Sequence, residues 1–336
     1  MPGRKPRNMY ARQHIGLLLA LVVPALLAAC EGIRDGREEC GIYLEFVYDL
    51  NMEYADAFDP QVGTVDVFVF DDRGLYRFAR HARRGELVDG NRMFLGEGLG
   101  FGRYSLLTVG GLSDDFRVSD AAGQPLTPGQ TRLEEVRIAL ERDAAVVGRE
   151  LAPVWVAPAF DVDYRADLSV WPVRLVRNTN RFNLTLVRRD GDAGTMPCTF
   201  EIVTPEGAAY GSDNAPLSDE AVTYVPYALL PGDLPGELSS GRLNTARLLS
   251  EAGDYRLRVL AAQTGDPLWD YDLMALLRST KSDGPGGREL PLQEYLDRQS
   301  EWNFVILYED GGSEGGFVAV AVRVNDWIIW LREIGV

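Results

Sequence analysis

Alternation of apolar and polar residues recurs along the chain in short runs. In "CGIYLEFVYDLN" (40–51), Ile42, Leu44, Phe46 and Tyr48 share one face of a strand. "VDVFVFDDRG" (65–74) repeats the pattern and stops on Asp-Asp-Arg-Gly, a turn sequence. The spacing predicts further strands at 75–81, 91–95, 103–109, 132–140 and 153–157, and "MEYADAF" (52–58) reads as a single helical turn. A second series opens with "RFNLTLVRRDGDAG" (181–194), where Phe182, Leu184 and Leu186 alternate. It continues through "CTFEIVTPEG", "AVTYVPYALL", "GRLNTARLL", "DYRLRVLAA" and "PLWDYDLM". Leu292, Tyr295 and Leu296, spaced i, i+3, i+4, predict a helix near 291–300, and strands return at 302–309 and 317–324. Short strands separated by Gly, Asp and Pro turns predict an all-β protein of β-sandwich type. A boundary near 170–178, in "DLSVWPVRLVRNTN", divides residues 40–172 from 173–336 as two domains. "KSDGPGG" (281–287) reads as a mobile surface loop of the second.

The C-terminal "VAVAVRVNDWIIWLREIGV" changes pattern within itself. Residues 318–324 alternate, whereas Trp327, Ile328, Ile329, Trp330 and Leu331 are apolar on both faces. Such a strand needs two covers, because each large side chain left in water forgoes roughly 1.5–3 kcal/mol. Either its own domain supplies both covers, or a partner supplies one. Direct continuation from a predicted core strand makes the internal role the expectation.

The N-terminus has a different texture. "LLLALVVPALLAAC" (17–30) follows Arg4, Lys5, Arg7 and Arg12, with no acidic residue before Glu31. A basic start, a short apolar stretch and a small-residue close make a secretory signal peptide over 1–29. The run falls short of the roughly 18–20 apolar residues of a spanning helix, and Pro24 interrupts it. Leu27-Ala28-Ala29-Cys30 resembles the lipobox of bacterial lipoproteins, which implies acylation of Cys30. Residues 30–39, polar and aperiodic, then read as a tether.

Removing 29 of 336 residues leaves 307, enough for two domains, and takes away four basic residues, so the net charge moves from −16 to −20. That balance argues against nucleic acid and against electrostatic docking on anionic lipid, leaving acyl chains as the membrane contact. Cys40 and Cys198 remain, either as a disulfide in an oxidising compartment or as two separate buried thiols.

No residue pattern points to catalysis, a metal or a cofactor. His81, in "RFARHARRG", is the one histidine beyond the signal segment, and no Gly-x-Ser-x-Gly elbow accompanies it. It reads as a partly exposed strand-end residue. "GEGLGFG" (96–102) lacks the G-x-G-x-x-G order and reads as a bulged strand connection. "DVDYRAD" (161–167) and "DGDAG" (190–194) space carboxylates as calcium ligands are spaced, but turn chemistry explains both at lower cost. The basic "ARHARR" (79–84) reads as a solvated face, with docking of an acidic partner as the alternative.

Several segments, in order, resemble a known family: the lipobox, "YLEFVYDLN", "YADAFDPQV", "VDVFVFDDRGLY", "LVRNTNRFNLTL" and "PLQEYLDRQSEWNFVILYED". Over nearly the whole mature chain the series is similar to the FimB-type fimbrial anchor lipoproteins of Bacteroidales. The resemblance implies two tandem transthyretin-like β-sandwiches with minor helical segments. It also implies a non-enzymatic protein that ties the base of a fimbria to the outer membrane, limits its length and contacts stalk subunits, in a family whose related subunits assemble by exchanging strands; Cys30 is the residue carried over. The alternative is a surface lipoprotein that binds glycans or host proteins through its sandwich loops.

Overall fold

The computed structural model describes residues 41–331 apart from 89, 97, 166–167, 192–196, 218–219, 231–233 and 311–316. Cys30 and Cys40, the signal segment and the tether lie outside the described residues, as does most of "DGDAG". The chain is all-β with a few short helices, as expected.

Numbered in chain order, the strands of the described residues form five sheets. The first is three-stranded: β10 (Ser169–Arg174), β1 (Ile42–Val47) and β4 (Arg92–Phe94). The second runs β11 (Val176–Arg177), β9 (Trp155–Tyr164), β5 (Gly102–Gly110), β2 (Thr64–Phe70), β3 (Tyr76–Arg83). A small third sheet joins β14 (Ala209–Tyr210), β7 (Arg137–Leu140) and β6 (Phe116–Ser119). The fourth is six-stranded: β16 (Ala228–Leu229), β17 (Glu237–Ala246), β12 (Thr179–Arg188), β20 (Glu301–Asp310), β21 (Phe317–Val324), β22 (Trp327–Trp330). The fifth orders β19 (Pro267–Asp272), β18 (Arg256–Ala261), β13 (Cys198–Thr204), β15 (Val222–Tyr224) and β8 (Val146–Val147).

Burial follows the alternation. Ile42, Leu44 and Phe46 of β1 face Val65, Val67 and Val69 of β2 in one core. Phe68 and Phe70, from the other face of β2, enter a second core with Phe116 and Ile138, continuous with Phe182, Phe200, Trp302 and Phe304. β2 is therefore covered on both faces, which its run of Val and Phe permits. Two ladders cross the expected division of the chain, since β7 pairs with β14 and β8 runs parallel to β15. β10 lies across the expected boundary itself and belongs to the first sheet.

Local chemistry departs from the sequence pattern in three places. Residues 52–57 form a turn, because Asn51 Nδ2 donates to the carbonyls of Tyr48 (2.9 Å) and Ala55 (2.7 Å), and Asp56 Oδ1 accepts from the Tyr48 and Phe58 N–H groups. The helical turn comes after it, at Phe58–Gln61. The strand expected through Met274 stops at Asp272, whose carboxylate caps the helix Leu273–Ser279 by accepting from Ala275 N–H at 3.0 Å. Asp161 and Asp163 sit within β9, where Asp161 accepts from Ser105 Oγ and Arg103 at 2.6 Å each, so strand pairing takes the place of the expected turn. The helix Leu292–Arg298 is where its spacing predicts it.

Candidate functional site

The apolar C-terminal segment forms β22, the last strand of the six-stranded sheet. β21 and β22 make a hairpin in which Val324 faces Trp327, Arg323 faces Ile328, Val322 faces Ile329 and Ala321 faces Trp330. Asn325, at a left-handed φ of 50°, turns the hairpin. It is pinned to β20: its N–H donates to Asn303 O at 2.8 Å, and its Oδ1 accepts from Asn303 N–H at 2.9 Å. Strand direction is thus fixed by a side chain as well as by the ladder.

The two faces of the segment differ. Ile329 and Leu331 are buried and join the main core beside Val322 and Val324. On the other face Ile328 and Trp330 are 57% and 44% exposed, while Trp327, on the face of Ile329 but at the hairpin end, is 53% exposed. Of the five apolar residues singled out from the sequence, the fold covers two and leaves three in solvent. Among the described residues β22 has a strand on one side only. An edge strand presents backbone N–H and C=O groups without ladder partners, and charge, Pro and short length are the usual ways to blunt it. Residues 327–330 contain no charge and no Pro. The site can therefore offer main-chain hydrogen bonds flanked by large apolar side chains.

The remaining sequence candidates are dispersed. Cys198 opens β13 and is buried, and burial pushes its thiol up to about 11. His81 lies on β3, half exposed, with Nδ1 2.9 Å from Asp66 Oδ1. Burial holds the Asp66 carboxyl above its ordinary value, and the His81 contact opposes that. In the basic cluster, Arg80 donates to Phe94 O at 2.9 Å, and Arg84 donates to Asp59 O.

Two half-buried arginines that sequence reasoning missed join the regions on either side of residue 178. Arg177 donates to Ser300 Oγ at 3.0 Å, and its guanidinium lies 5.8 Å from the Trp155 ring. Arg298 donates to the carbonyls of Asp49 (3.0 Å) and Asn51 (3.1 Å) and stacks 4.3 Å over Tyr54. The one available signal was placement: Arg298 ends a short helix, where a cation is favoured. A buried carboxyl was missed as well. Glu206 Oε1 accepts from Tyr255 Oη at 2.7 Å, and burial raises Glu206 to about 7. The fully buried Tyr210 and Tyr224 lie in the same cluster, where burial raises both phenols.

The model of the fimbrillin-A associated anchor proteins Mfa1 and Mfa2 matches residues 37–333. A candidate adhesin from Bacteroides ovatus is 44% identical, with 89% of this chain and 97% of that one covered and a TM-score of 0.82. A candidate polysaccharide-binding protein from Bacteroides thetaiotaomicron is 27% identical over 89% and 100%, with a TM-score of 0.75. The fimbrial anchor protein Mfa2 from Porphyromonas gingivalis shares the fold at 17% identity, over 86% and 98%, with a TM-score of 0.63. No curated protein matches.

Proposed function

Because the chain belongs to the family of fimbrillin-A associated anchor proteins, we propose that it ties the base of a fimbria to the outer membrane and limits the fimbria's length. Acylation of Cys30 supplies the membrane end. The stalk end is β22, where a strand of the neighbouring subunit pairs with the open edge and packs on Trp327, Ile328 and Trp330, while Ile329 and Leu331 hold the strand to the core. The observation that carries this reading is an uncharged, aromatic edge strand on a protein of an anchor family. In this reading residues 40–172 and 173–336 are two sandwiches tied by the β7–β14 and β8–β15 ladders, and Cys198 is buried in the second.

Two variants test the two ends. Cys30→Ser releases the protein from membranes after removal of the signal segment, whereas retention in the membrane fraction refutes the lipid anchor. Ile328→Lys combined with Trp330→Lys abolishes copurification of the stalk subunit while leaving the thermal melt unchanged. Undiminished copurification refutes the edge contact.

A glycan-binding reading has one observation of its own. Phe101, 71% exposed, stands edge-on to Tyr164 at 5.3 Å between ring centroids, a bare ring of the kind that stacks on sugars. Isolation of the protein without any stalk subunit, together with Phe101-dependent retention on a polysaccharide column, favours that reading.

A further inference from the structure

We infer that the pairing of β1 with β10 is a mechanical clamp that bears tension arriving through the N-terminal tether. The inference rests on the anchoring role proposed above. β1 is the first strand of the described chain, directly after the tether in sequence, and it is interior to its sheet, with β10 on one side and β4 on the other. Its pairing with β10 is parallel over six positions, from Ile42 beside Ser169 to Val47 beside Arg174. Hydrogen bonds from Ser169 N–H to Gly41 O and from Leu175 N–H to Val47 O, both 2.9 Å, close the ladder at its two ends.

Chain direction determines how this ladder is loaded. Toward the tether, the chain leaves β1 at Ile42; toward the rest of the protein, it leaves β10 at Arg174. Parallel pairing puts these exits at opposite ends. Tension therefore draws the two strands past each other along their length, and all the rungs resist together. Antiparallel strands pulled from adjacent ends open one rung at a time and yield at lower force. Sliding β1 also withdraws Ile42, Leu44 and Phe46, all fully buried, from their core. Behind the clamp, Arg298 holds the carbonyls of Asp49 and Asn51, just beyond the end of β1. The same geometry recurs in the six-stranded sheet. β12 and β20 are parallel over eight positions, and two antiparallel steps make β22 parallel to both.

Single-molecule pulling at constant loading rate tests the clamp, because forced unfolding reports the barrier to unfolding. One handle follows residue 336. The other is placed either ahead of residue 31 or, through Glu53→Cys, on the exposed turn after β1. In the second arrangement β1 is bypassed and tension enters β2 at Thr64, beside the Gly110 end of β5, a peeling geometry. The clamp predicts a higher rupture force for the first arrangement than for the second. An equal or lower force overturns it. Membrane retention and stalk copurification are unaffected by that outcome, so failure of the clamp is distinguishable from failure of the anchoring role.

Discussion

The first and last strands of the described chain carry similar apolar content and meet opposite fates. β1 is flanked on both sides, with Ile42, Leu44 and Phe46 fully buried. β22 sits at a sheet edge, with Trp327, Ile328 and Trp330 in solvent. The two strands differ in the neighbours that topology gives them more than in hydrophobicity. A strand entered early can be enclosed by later segments such as β4 and β10, whereas the last strand must take the edge that remains. The comparison separates a strand enclosed by the fold from a strand left open at its edge.

The largest effect should come from the enclosed strand. Phe46→Ala empties a site that stacks against Phe58 at 5.7 Å, and a cost of about 3–5 kcal/mol is expected in denaturant unfolding. A cost below about 1 kcal/mol would mean that β1 is not integral to its core.

Next is the second half, through Glu206. Its carboxyl is raised to about 7 in the fold, from an ordinary 4.5, chiefly by burial. The protonated form is thus favoured by folding, and its contribution is complete below pH 4.5 and lost as pH rises through 7. Stability should fall by on the order of 3 kcal/mol across that window, and Glu206→Gln should remove the slope. If the halves unfold separately, only the transition of the second should move with pH. The groups that face Glu206 are Tyr210, Tyr224 and Tyr255, with Arg247 beside Tyr210.

Arg298→Met probes the joint between the halves. It leaves the Asp49 and Asn51 carbonyls without their shared donor, at about 1–3 kcal/mol. A calorimetric scan should then show the two halves separating into distinct transitions. The smallest effect on stability belongs to the exposed strand: Trp330→Ser should change it by no more than about 0.5 kcal/mol, measured by thermal melt, while weakening capture of the stalk subunit.

Much of this organisation was legible from alternation. β1, β2, β12 and β20 are long enough for a period of two to show, and Leu292, Tyr295 and Leu296 carry a helical period through to the fold. β10 was hidden by Pro172, which argues against an interior strand; its edge position, opposite Glu45, accommodates the proline. β8, β11, β14 and β16 are two residues each, too short to have a period. "LMALLRS" follows a strand without a break, and its helix is declared only by the cap on Asp272. For the candidate site, the sequence identified a segment apolar on both faces. Which face is covered depends on β20 and β21 and on the Asn325–Asn303 clamp, all contacts distant in sequence or invisible to periodicity.

The opposite edge of the same sheet is β16, two residues long and preceded by Pro226, and hence poorly suited to pairing. β22 is twice that length and carries neither charge nor Pro, and an edge open to a foreign strand is open to its own copy as well. The isolated protein should accordingly self-associate as its concentration rises, and the Ile328→Lys and Trp330→Lys pair should suppress this. If β22 is the stalk contact proposed above, the same exposure sets a time limit in the cell: a copy that stays unoccupied is an aggregation hazard, and its synthesis has to be matched to the supply of the strand that covers it.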